Sequence, residues 1–530
     1  MYVSKGKAAH VHGLPEPYAQ AENLDALIIV PPVSPSETNP PLGPAILARA
    51  AASKEFHVGV LDLNILMFRR FRGFGGHQSL TLGDHGKDRS FISAAADTVY
   101  DATGLRKYPP VYLPDAADPV AGMHYSLPSI SDALQLASSD ATPLRSWLEY
   151  ELRSRCDAVP PVVGVSLMGP SQVFIGLLVL VIVRDIWPSA RTVLGGSHAT
   201  LLFGEIQQDQ RCGCLVDEVL TGHCEDQFVS LVAERSAAAR RDSAKSRSSV
   251  ASHLKSPGFE YLPLFELSQL ALYAQDMIAI PVQFTRGCSY GRCTFCTYPA
   301  VEPILTRLDP VAAGATIRRL VAIHGIRRFS LKDSLFTAPM LRSFSESLLR
   351  YPPVEITWSA TTKANRALIP LIPVLREAGL TTLEIGVESI HSSAQRFFDK
   401  RASISMVEEV IHAIAGAGIT VVVNLIFGYP GERVEMAEDQ LQWLLDLRVS
   451  APPERINCSL NMLEIVRGSP LAMLPGDSVT LMGVAPWAFS YKWNAPPWRS
   501  EFATTLRAIE RQIGSRAPNL LAVSHAEDVE

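Results

Sequence analysis

The sequence predicts an α/β fold with two units, an N-terminal Rossmann-like doubly wound domain and a partial (βα)6 barrel of the TIM type, followed by a short C-terminal extension. Two observations support this prediction. Short β-branched runs alternate with helix-length segments in both halves of the chain, as in βαβ units. The two halves are separated by residues 236–258, most of which are small, polar or basic, as is typical of a linker. A chain of 530 residues is also longer than one core usually supports.

The N-terminal half contains the alternation of a doubly wound sheet. Its apolar runs lack the polar–apolar alternation of a half-exposed strand, which favours strands buried on both faces. We assign residues 21–235 to this domain, with an insertion at about 66–160, and expect residues 1–20 to be disordered. The predicted strands are 25–30, His57–Leu63, Val162–Leu167, Arg191–Leu194 and Glu218–Leu220, and the predicted helices are Leu42–Ala52, Pro143–Arg155 and one that ends at Ile186.

The C-terminal half repeats the pattern six times, and we assign residues 259–475 to a barrel and 476–530 to an extension. In such barrels the functional groups lie at the carboxyl ends of the strands. The predicted strands are Val282–Thr285, Arg328–Leu331, Glu355–Ala360, Thr382–Gly386, Thr420–Phe427 and Ile456–Leu463.

Composition and charge exclude some classes of partner. Apolar residues make up 47% of the chain, charged residues 19%, and the formal net charge is −5. There is therefore no electrostatic footprint for nucleic acid or for an anionic membrane, and we expect neither as a partner. The most apolar run, Val173–Val183, is shorter than the roughly 20 residues that a membrane-spanning helix needs. The N-terminus lacks the apolar core of a secretory signal, so we expect a cytoplasmic protein.

A cluster of three cysteines is the strongest chemical signal in the sequence. Cys288, Cys293 and Cys296 follow the first predicted barrel strand and lie within nine residues of each other. Three thiolates can bind three irons of a [4Fe-4S] cluster and leave the fourth iron open for another ligand. The alternative is a structural zinc site, but this requires a fourth Cys or His, and no second C-x-x-C pair occurs in the chain.

The sequence from Thr285 to Cys296 resembles the cluster motif of the radical S-adenosylmethionine (SAM) superfamily. Most members have three residues between the first two cysteines, whereas this chain has four. That spacing resembles the branch whose barrel follows a cobalamin-binding domain. Further segments resemble the family in the same order: 329–334 the second strand with its terminal acidic residue, 386–389 the fourth strand, 424–432 the fifth with its turn, and 468–470 the signature after the sixth.

The resemblance implies that the open iron chelates SAM and that the reduced cluster splits it into methionine and a 5′-deoxyadenosyl radical. Phe295 would pack near the adenine, and the Glu388 carboxylate would accept hydrogen bonds from the ribose hydroxyls. An alternative for Glu388 is an ion pair in the barrel interior. The implied SAM-binding residues are Phe295, Ser359, Gly386, Glu388 and Asn424.

The N-terminal half is similar to the cobalamin-binding domain of the same branch. Its glycines would let the backbone approach a large flat macrocycle. The Asp-x-His-x-x-Gly motif that gives cobalt a histidine in other cobalamin proteins is absent. A domain that has lost cobalamin is the alternative. The implied cobalamin-binding residues are Pro32, Leu42, Ser166, Gly195, Gly196, Ser197, Gly222 and Glu225.

The cofactor pair implies cobalamin-dependent methylation of an unactivated carbon in a small molecule or peptide, such as a natural-product precursor. Oxidative cyclisation or rearrangement with the same cofactors is the first alternative, and a non-catalytic cobalamin or metal sensor is the second. An electron donor such as flavodoxin or ferredoxin would be a partner. No catalytic residue is assigned from the sequence. An aromatic group in the extension, which would either close over the substrate or cap the barrel, consists of Trp487, Tyr491, Trp493 and Trp498.

Overall fold

The computed structural model describes most of both predicted units. The predicted disordered terminus, most of the insertion, most of the linker and Trp487 lie outside the described residues. Described are residues 23–32, 39–72, 143–156, 158–169, 172–243, 263–273, 278–350, 353–483 and 490–514.

The N-terminal half forms a five-stranded parallel sheet with the strand order β2-β1-β3-β4-β5. The chain order reverses between β1 and β3, and a ligand site is expected there in an open α/β sheet. All five predicted strands are present, with ends that shift by at most one residue. They are β1 (Ala26–Val30), β2 (Val58–Asp62), β3 (Val162–Ser166), β4 (Arg191–Gly195) and β5 (Glu218–Val219).

Helices cover both faces of this sheet, which explains why its strands are apolar along their whole length. On one face α1 (Leu42–Ala52) packs against α7 (Glu225–Ser243) around Ile28 and Val193. The other face is covered by α3 (Pro143–Arg153) and α4 (Val173–Ile186), whose apolar residues join the main core. The remaining elements of this half are α2 (Leu63–Arg72), α5 (Ser197–Leu201), α6 (Phe203–Gln208) and a 3₁₀ turn at Cys212–Cys214.

The C-terminal half forms a six-stranded sheet in the order β13-β12-β11-β10-β9-β6, with every neighbouring pair parallel. This sequential order is that of a partial (βα)6 barrel. The strands are β6 (Ile280–Val282), β9 (Arg328–Leu331), β10 (Thr357–Thr362), β11 (Leu380–Glu388), β12 (Thr420–Phe427) and β13 (Ile456–Met462).

Helices alternate with these strands and pack on their outer faces. A short antiparallel pair, β7 (Thr285–Arg286) and β8 (Thr306–Arg307), stands beside the sheet at the start of the barrel. The helices of the barrel are α8 (Leu267–Leu270), α9 (Tyr298–Val301), α10 (Pro310–His324), α11 (Ala338–Leu349), α12 (Ile372–Glu377), α13 (Ser392–Phe397), α14 (Ile404–Gly416) and α15 (Val434–Ser450), with 3₁₀ turns at Arg366–Leu371 and Pro453–Arg455.

Two predicted barrel strands, the first and the third, had both ends wrong because pairing partners set them, and the fourth, predicted as Thr382–Gly386, extends two residues further at each end. The first strand was predicted as Val282–Thr285, but the sheet pairing of β6 stops at Val282, and Thr285 pairs with Arg307 instead. The third was predicted as Glu355–Ala360. It begins at Thr357, which pairs with Arg328, and runs on to Thr362 because β11 offers a partner there.

The C-terminal extension packs against the barrel. Strands β14 (Ile465–Val466), β16 (Ser490–Trp493) and β15 (Leu481–Gly483) form a small antiparallel sheet. Helix α16 (Pro470–Met473) follows β14, and α17 (Arg499–Gly514) lies along β13, where Phe502 and Leu506 join the barrel core. Trp493 is buried and Trp498 donates to the Glu432 carbonyl oxygen, so both residues serve the packing of this cap.

Among the described residues, no helix combines the length and apolar content that crossing a membrane would require.

Candidate active site

The three cysteines of the cluster motif lie on one loop that runs from β7 to α9. All three are free thiols and all are partly exposed. The loop depends on glycine at two positions. Gly287 has φ +72, and a Cβ atom there would lie 3.0 Å from the Ile304 carbonyl oxygen; Gly291 has φ +58 and would meet the Cys288 carbonyl oxygen at 3.2 Å. Only glycine adopts such backbone angles readily, so the loop shape is fixed by these two residues.

Backbone N–H groups and a lysine surround the sulfur atoms. The amide of Gly291 donates to Cys288 Sγ at 3.4 Å. Burial raises the pKa of the Cys293 thiol and raises that of Cys296 to about 11, while a backbone hydrogen bond from Tyr298 and the charge of Lys400 act in the opposite direction on Cys296. Hydrogen bonds to sulfur and nearby cations stabilise the thiolate form that a metal requires.

The donor set fits an iron-sulfur cluster better than a single ion. Within the residues that the structure describes, no group of three or more His, Cys, Asp or Glu side chains is placed to hold one metal ion. A cubane differs from a single ion because each thiolate binds a different iron, so its ligands need to surround a larger volume. Three partly exposed soft ligands on one glycine-shaped loop satisfy that requirement.

Two acidic residues anchor the start of the cysteine loop. Glu302 accepts from the Gly287 amide at 2.8 Å and from Gln283 Nε2 at 2.9 Å. Asp333, the predicted acidic residue after the second strand, accepts from the Phe284 amide at 3.1 Å. Burial raises the pKa of the Asp333 carboxyl to about 7, although these hydrogen bonds oppose the shift. Both carboxyl groups therefore position the loop rather than face an open site.

Aromatic side chains support the other end of the loop. Phe295 packs edge-on against Phe398, with ring centroids 5.4 Å apart, and Phe398 in turn contacts Tyr429. The neighbouring residue Thr294 donates through its hydroxyl to the Phe397 carbonyl oxygen at 2.9 Å. These contacts join Phe295 to the core beneath the C-terminal cap. The predicted contact of Phe295 with adenine stays a prediction.

Glu388 lies at the end of β11, opposite the cysteine loop. It is buried, has a positive φ of +67, and pairs with Lys400 Nζ at 2.9 Å. A Cβ atom at Gly386 would come within 2.6 Å of Glu388 Oε1 and 2.9 Å of Lys400 Nζ. The ion pair therefore packs directly against the backbone at Gly386. The charge of Lys400 also acts on Cys293 and Cys296, which places it between Glu388 and the loop.

Two other predicted SAM-binding residues lie on the inner face of the barrel, Ser359 on β10 and Asn424 on β12. Each is partly exposed on a strand whose outward-facing neighbours are buried. Asn424 Nδ2 donates to Glu384 Oε1 at 2.6 Å. The five predicted SAM-binding residues thus lie on the loop or on the inner faces of β10, β11 and β12, and their contacts with SAM stay predictions.

The predicted cobalamin-binding residues gather at one edge of the N-terminal sheet. The strands are parallel, so the segments after β1, β3, β4 and β5 all emerge at the carboxyl edge. Pro32 follows β1 and Ser166 ends β3, so these two residues flank the point where the strand order reverses. The remaining predicted residues at this edge are Leu42, Gly195, Gly196, Ser197, Gly222 and Glu225.

Glycine is required where β4 leads into α5. Gly196 has φ +101, and a Cβ atom there would lie 2.2 Å from the Leu167 carbonyl oxygen. Ser197 Oγ is exposed and donates to the Met168 carbonyl oxygen at 3.0 Å. Gln172 connects this edge further, because its side chain accepts from the Met168 amide and donates to the Pro31 carbonyl oxygen. The result is a close-packed backbone platform that a flat ligand can approach.

The carboxyl edge of the N-terminal sheet faces the cysteine loop. Arg286, two residues before Cys288, pairs with Glu225 at the start of α7. A second ion pair joins Arg467 to Glu205 at 3.0 Å. Two glycines also lie in close contact with the other half of the chain. A Cβ atom at Gly222 would meet Val301, and a Cβ atom at Gly468 would meet Leu201. The platform and the loop thus form opposite walls of one region.

Sequence reasoning missed several residues of this region, and it gave Glu225 a different role. The Glu225 carboxylate is engaged by Arg286, so its predicted contact with cobalamin stays a prediction beside an observed ion pair. Lys400, Glu302 and Gln172 were not predicted. A polar or charged residue at the end of a buried segment was the available signal, but such residues are common at loop ends and do not identify their partners.

Residues 282–444 match the family model described as the Radical SAM superfamily. This stretch is a radical SAM domain, and it contains the cysteine loop, Glu388 and Asn424. Over most of its length the chain has a fold similar to that of two solved radical SAM enzymes whose structures contain cobalamin. The methyltransferase TsrM from Kitasatospora setae, solved with cobalamin and a [4Fe-4S] cluster, superposes with a TM-score of 0.54 at 15% identity over 85% of this chain and 77% of that chain.

A second solved structure, the cobalamin-dependent SAM radical enzyme OxsB with aqua-cobalamin and SAM, has a TM-score of 0.56 at 13% identity. The superposition covers 88% of this chain and 64% of the OxsB chain. Among curated proteins, the anaerobic magnesium-protoporphyrin IX monomethyl ester cyclase of Cereibacter sphaeroides is 23% identical over 54% of this chain and 49% of its own length. An uncharacterised methyltransferase of Pyrococcus horikoshii is 23% identical over 55% of this chain and 65% of its own. The chain spans about half to two thirds of these relatives.

Proposed function

We propose that this protein is a radical SAM enzyme that holds a [4Fe-4S] cluster on Cys288, Cys293 and Cys296 and methylates an unactivated carbon with the help of cobalamin. The substrate would be a small molecule or a peptide. The observation that carries the proposal is that the cysteine loop and the carboxyl edge of the N-terminal sheet face each other across the Arg286–Glu225 ion pair. The region between them is bounded by both cofactor-binding surfaces.

When bound, the reduced cluster with SAM supplies a 5′-deoxyadenosyl radical and cobalamin supplies a transferable methyl group. The protein binds and orients these groups and excludes water. Gly287 and Gly291 shape the loop that carries the three cysteines, and these lie close enough for their charges to interact. Gly196 lets the opposite edge pack closely against the Leu167 backbone, and the Asp-x-His-x-x-Gly motif is absent from the sequence.

The lysine beside the loop adds an electrostatic contribution. Lys400 is buried and paired with Glu388, and the thiolates and this carboxylate raise its pKa against the effect of burial. It therefore stays protonated at neutral pH, and a fixed positive charge lies close to Cys293. A preorganised charge of this kind stabilises a negatively charged cluster.

Oxidative cyclisation is the second candidate reaction. It is favoured by two of the curated relatives, both of which are named anaerobic magnesium-protoporphyrin IX monomethyl ester cyclases. The same cofactors and the same two surfaces would serve it. Methylation and cyclisation differ in whether the methyl group of SAM appears in the product.

The test begins with protein purified and reconstituted without oxygen. The proposal expects an electron paramagnetic resonance signal of a reduced cubane that changes when SAM is added, release of 5′-deoxyadenosine, and one bound cobalamin. Cys293→Ala should abolish deoxyadenosine formation, whereas Cys214→Ala, at an exposed thiol outside the loop, should leave it unchanged. A wild-type protein without a SAM-responsive cubane would overturn the assignment.

Incubation of candidate substrates with methyl-deuterated SAM then separates the two reactions. A product that carries the label supports methylation. An unlabelled product that has lost hydrogen supports cyclisation. Reduction by flavodoxin or ferredoxin in place of a chemical reductant tests the proposed electron donor in the same assay.

A further inference from the structure

The inner face of the barrel carries polar, partly exposed side chains on its central strands. In β10, Ser359 and Thr361 are partly exposed, while Trp358 and Ala360 on the outer face are buried. The central strand β11 shows the same alternation, with Glu384 partly exposed between buried Leu383 and Ile385. An open polar interior on central strands indicates a ligand-binding space.

Register places three functional side chains in one row of this interior. Ser330 of β9 pairs with Ser359 of β10, so Lys332, two residues further along the chain, lies level with Thr361. Thr361 pairs with Glu384 of β11. Because side chains on one face recur every second residue, Thr361 and Glu384 project inward at the same height, and Lys332, the residue after the end of β9, lies near enough for the Glu384 charge to act on it.

Hydrogen bonding in this row leaves one donor and one acceptor available. Glu384 accepts from Thr361 Oγ1 at 3.4 Å and from Asn424 Nδ2 at 2.6 Å. Within the described part of the chain, the buried Asn424 Oδ1 atom has no hydrogen-bond partner. The Lys332 ammonium makes no hydrogen bond or ion pair to any described residue, although the charge of Glu384 acts on it. A buried acceptor such as Asn424 Oδ1 is normally satisfied, and Lys332 is partly exposed, so a ligand that enters the interior is the expected partner of both.

We propose that Lys332, Thr361, Glu384 and Asn424 form a substrate-recognition site inside the barrel that binds an anionic group next to a hydrogen-bond donor, which assigns Asn424 to the substrate instead of the predicted contact with SAM. The anion, a carboxylate or a phosphate, would bind Lys332, and an adjacent N–H or O–H would donate to Asn424 Oδ1. Glu384 holds the Asn424 amide with its oxygen turned away from the carboxylate. This inference rests on the proposed function, because it describes how that enzyme would select its substrate.

Burial supports this assignment of Lys332. It lowers the pKa of the ammonium group, and the Glu384 carboxylate opposes that shift. An incoming anion would favour the charged form in the same way as Glu384 does. A neutral ligand would gain no such interaction, so the site discriminates by charge.

The experiment uses the reconstituted full-length protein with SAM present. The probes are a panel of N-acyl amino acids, each matched with its amide, and a panel of phosphate monoesters, each matched with the parent alcohol. Binding is measured by saturation-transfer nuclear magnetic resonance. A hydrogen bond to a charged group contributes about 1.5–3 kcal/mol, so Lys332→Met should weaken binding of the acids about tenfold or more. Lys332→Arg should retain it, and Lys492→Met, at an exposed lysine outside the barrel, should match the wild type.

The two panels decide between a carboxylate and a phosphate as the bound group. The inference is overturned if the acids and the phosphates bind no better than their neutral partners, or if Lys332→Met leaves their binding unchanged. It is also overturned if Lys332→Met weakens SAM binding as strongly as probe binding, since Lys332 would then serve SAM. Failure of the proposed function is seen separately, as a wild-type protein that forms no deoxyadenosine although its anion binding can still be measured.

Discussion

Arg286, two residues before the first cluster cysteine, forms an ion pair with Glu225, the first residue of a helix in the other domain. The Arg286 side chain is 4% exposed and that of Glu225 19% exposed. The pair therefore connects the cysteine loop directly to the carboxyl edge of the N-terminal sheet.

Breaking this pair should cost far more than breaking an exposed one. Glu225→Gln leaves the Arg286 charge largely buried, so we expect a loss on the order of 3 kcal/mol and a lower iron content after reconstitution. A double-mutant cycle with Arg286→Met measures the coupling through apparent melting temperatures. The matched control is the exposed pair Arg366–Glu409, with side chains 65% and 46% exposed, for which we expect under about 1 kcal/mol. Equal coupling in the two cycles would contradict the prediction.

The sequence was sufficient for the local part of this structure and insufficient for its long-range contacts. Helix Leu42–Ala52 and strand Thr420–Phe427 were predicted with both ends, because short apolar runs bounded by proline, glycine or polar residues specify buried elements. The partners of Glu225 and Glu388 were not predicted. Arg286 is 61 positions from Glu225, and a single sequence contains no signal that pairs two charged residues at such a distance.

The turn at Gly196 should tolerate no side chain. Alanine there would need φ near +101 and would place its Cβ atom 2.2 Å from the Leu167 carbonyl oxygen. We expect Gly196→Ala to destabilise the N-terminal domain by about 3 kcal/mol or more and to abolish cobalamin retention after gel filtration.

Gly204, eight residues away in the helix Phe203–Gln208, provides the control. A Cβ atom there would contact nothing within 4 Å, and alanine favours a helix over glycine by up to about 1 kcal/mol. Gly204→Ala should therefore melt at the same temperature as the wild type or slightly higher. If both variants retained cobalamin equally, the close approach at Gly196 would not matter for the platform.

A buried carboxyl group in the fifth-strand turn should make stability depend on pH. Glu432 is 4% exposed and accepts from the Gly428 amide. Burial raises the pKa of its carboxyl from 4.5 to about 8, and Arg499 opposes that shift. Because the folded-state pKa is the higher one, the contribution of Glu432 to stability is complete below about pH 4.5 and is lost as the pH rises through 8.

Glu432→Gln should remove this dependence. The free energy of unfolding of the variant minus that of the wild type should increase from pH 5 to pH 8 by about 1 kcal/mol per pH unit and level off above. Melting temperatures of both proteins across this pH range measure the difference. Glu435→Gln, at a side chain 68% exposed, should give a difference that does not change with pH. A constant difference for Glu432→Gln would show that its carboxyl is already ionised at pH 5.

The ion pair between Glu388 and Lys400 allows its structural role to be separated from a role in SAM binding. Both residues are buried, with side chains 9% and 11% exposed, so removing either partner leaves an uncompensated charge. Glu388→Gln and Lys400→Met should each lower stability by about 3 kcal/mol. The double variant leaves no charge behind and should recover part of this loss.

The double variant then decides between the two interpretations of Glu388. If Glu388 accepts hydrogen bonds from the ribose of SAM, the double variant regains stability but not SAM affinity, because a carboxylate is a stronger acceptor than an amide. If the pair only braces β11 against the cysteine loop, stability and SAM affinity recover together. Melting temperatures and the SAM-induced change in the cluster spectrum, measured on the same four proteins, separate these outcomes. Full SAM affinity in Glu388→Gln alone would contradict a role for this carboxylate in SAM binding.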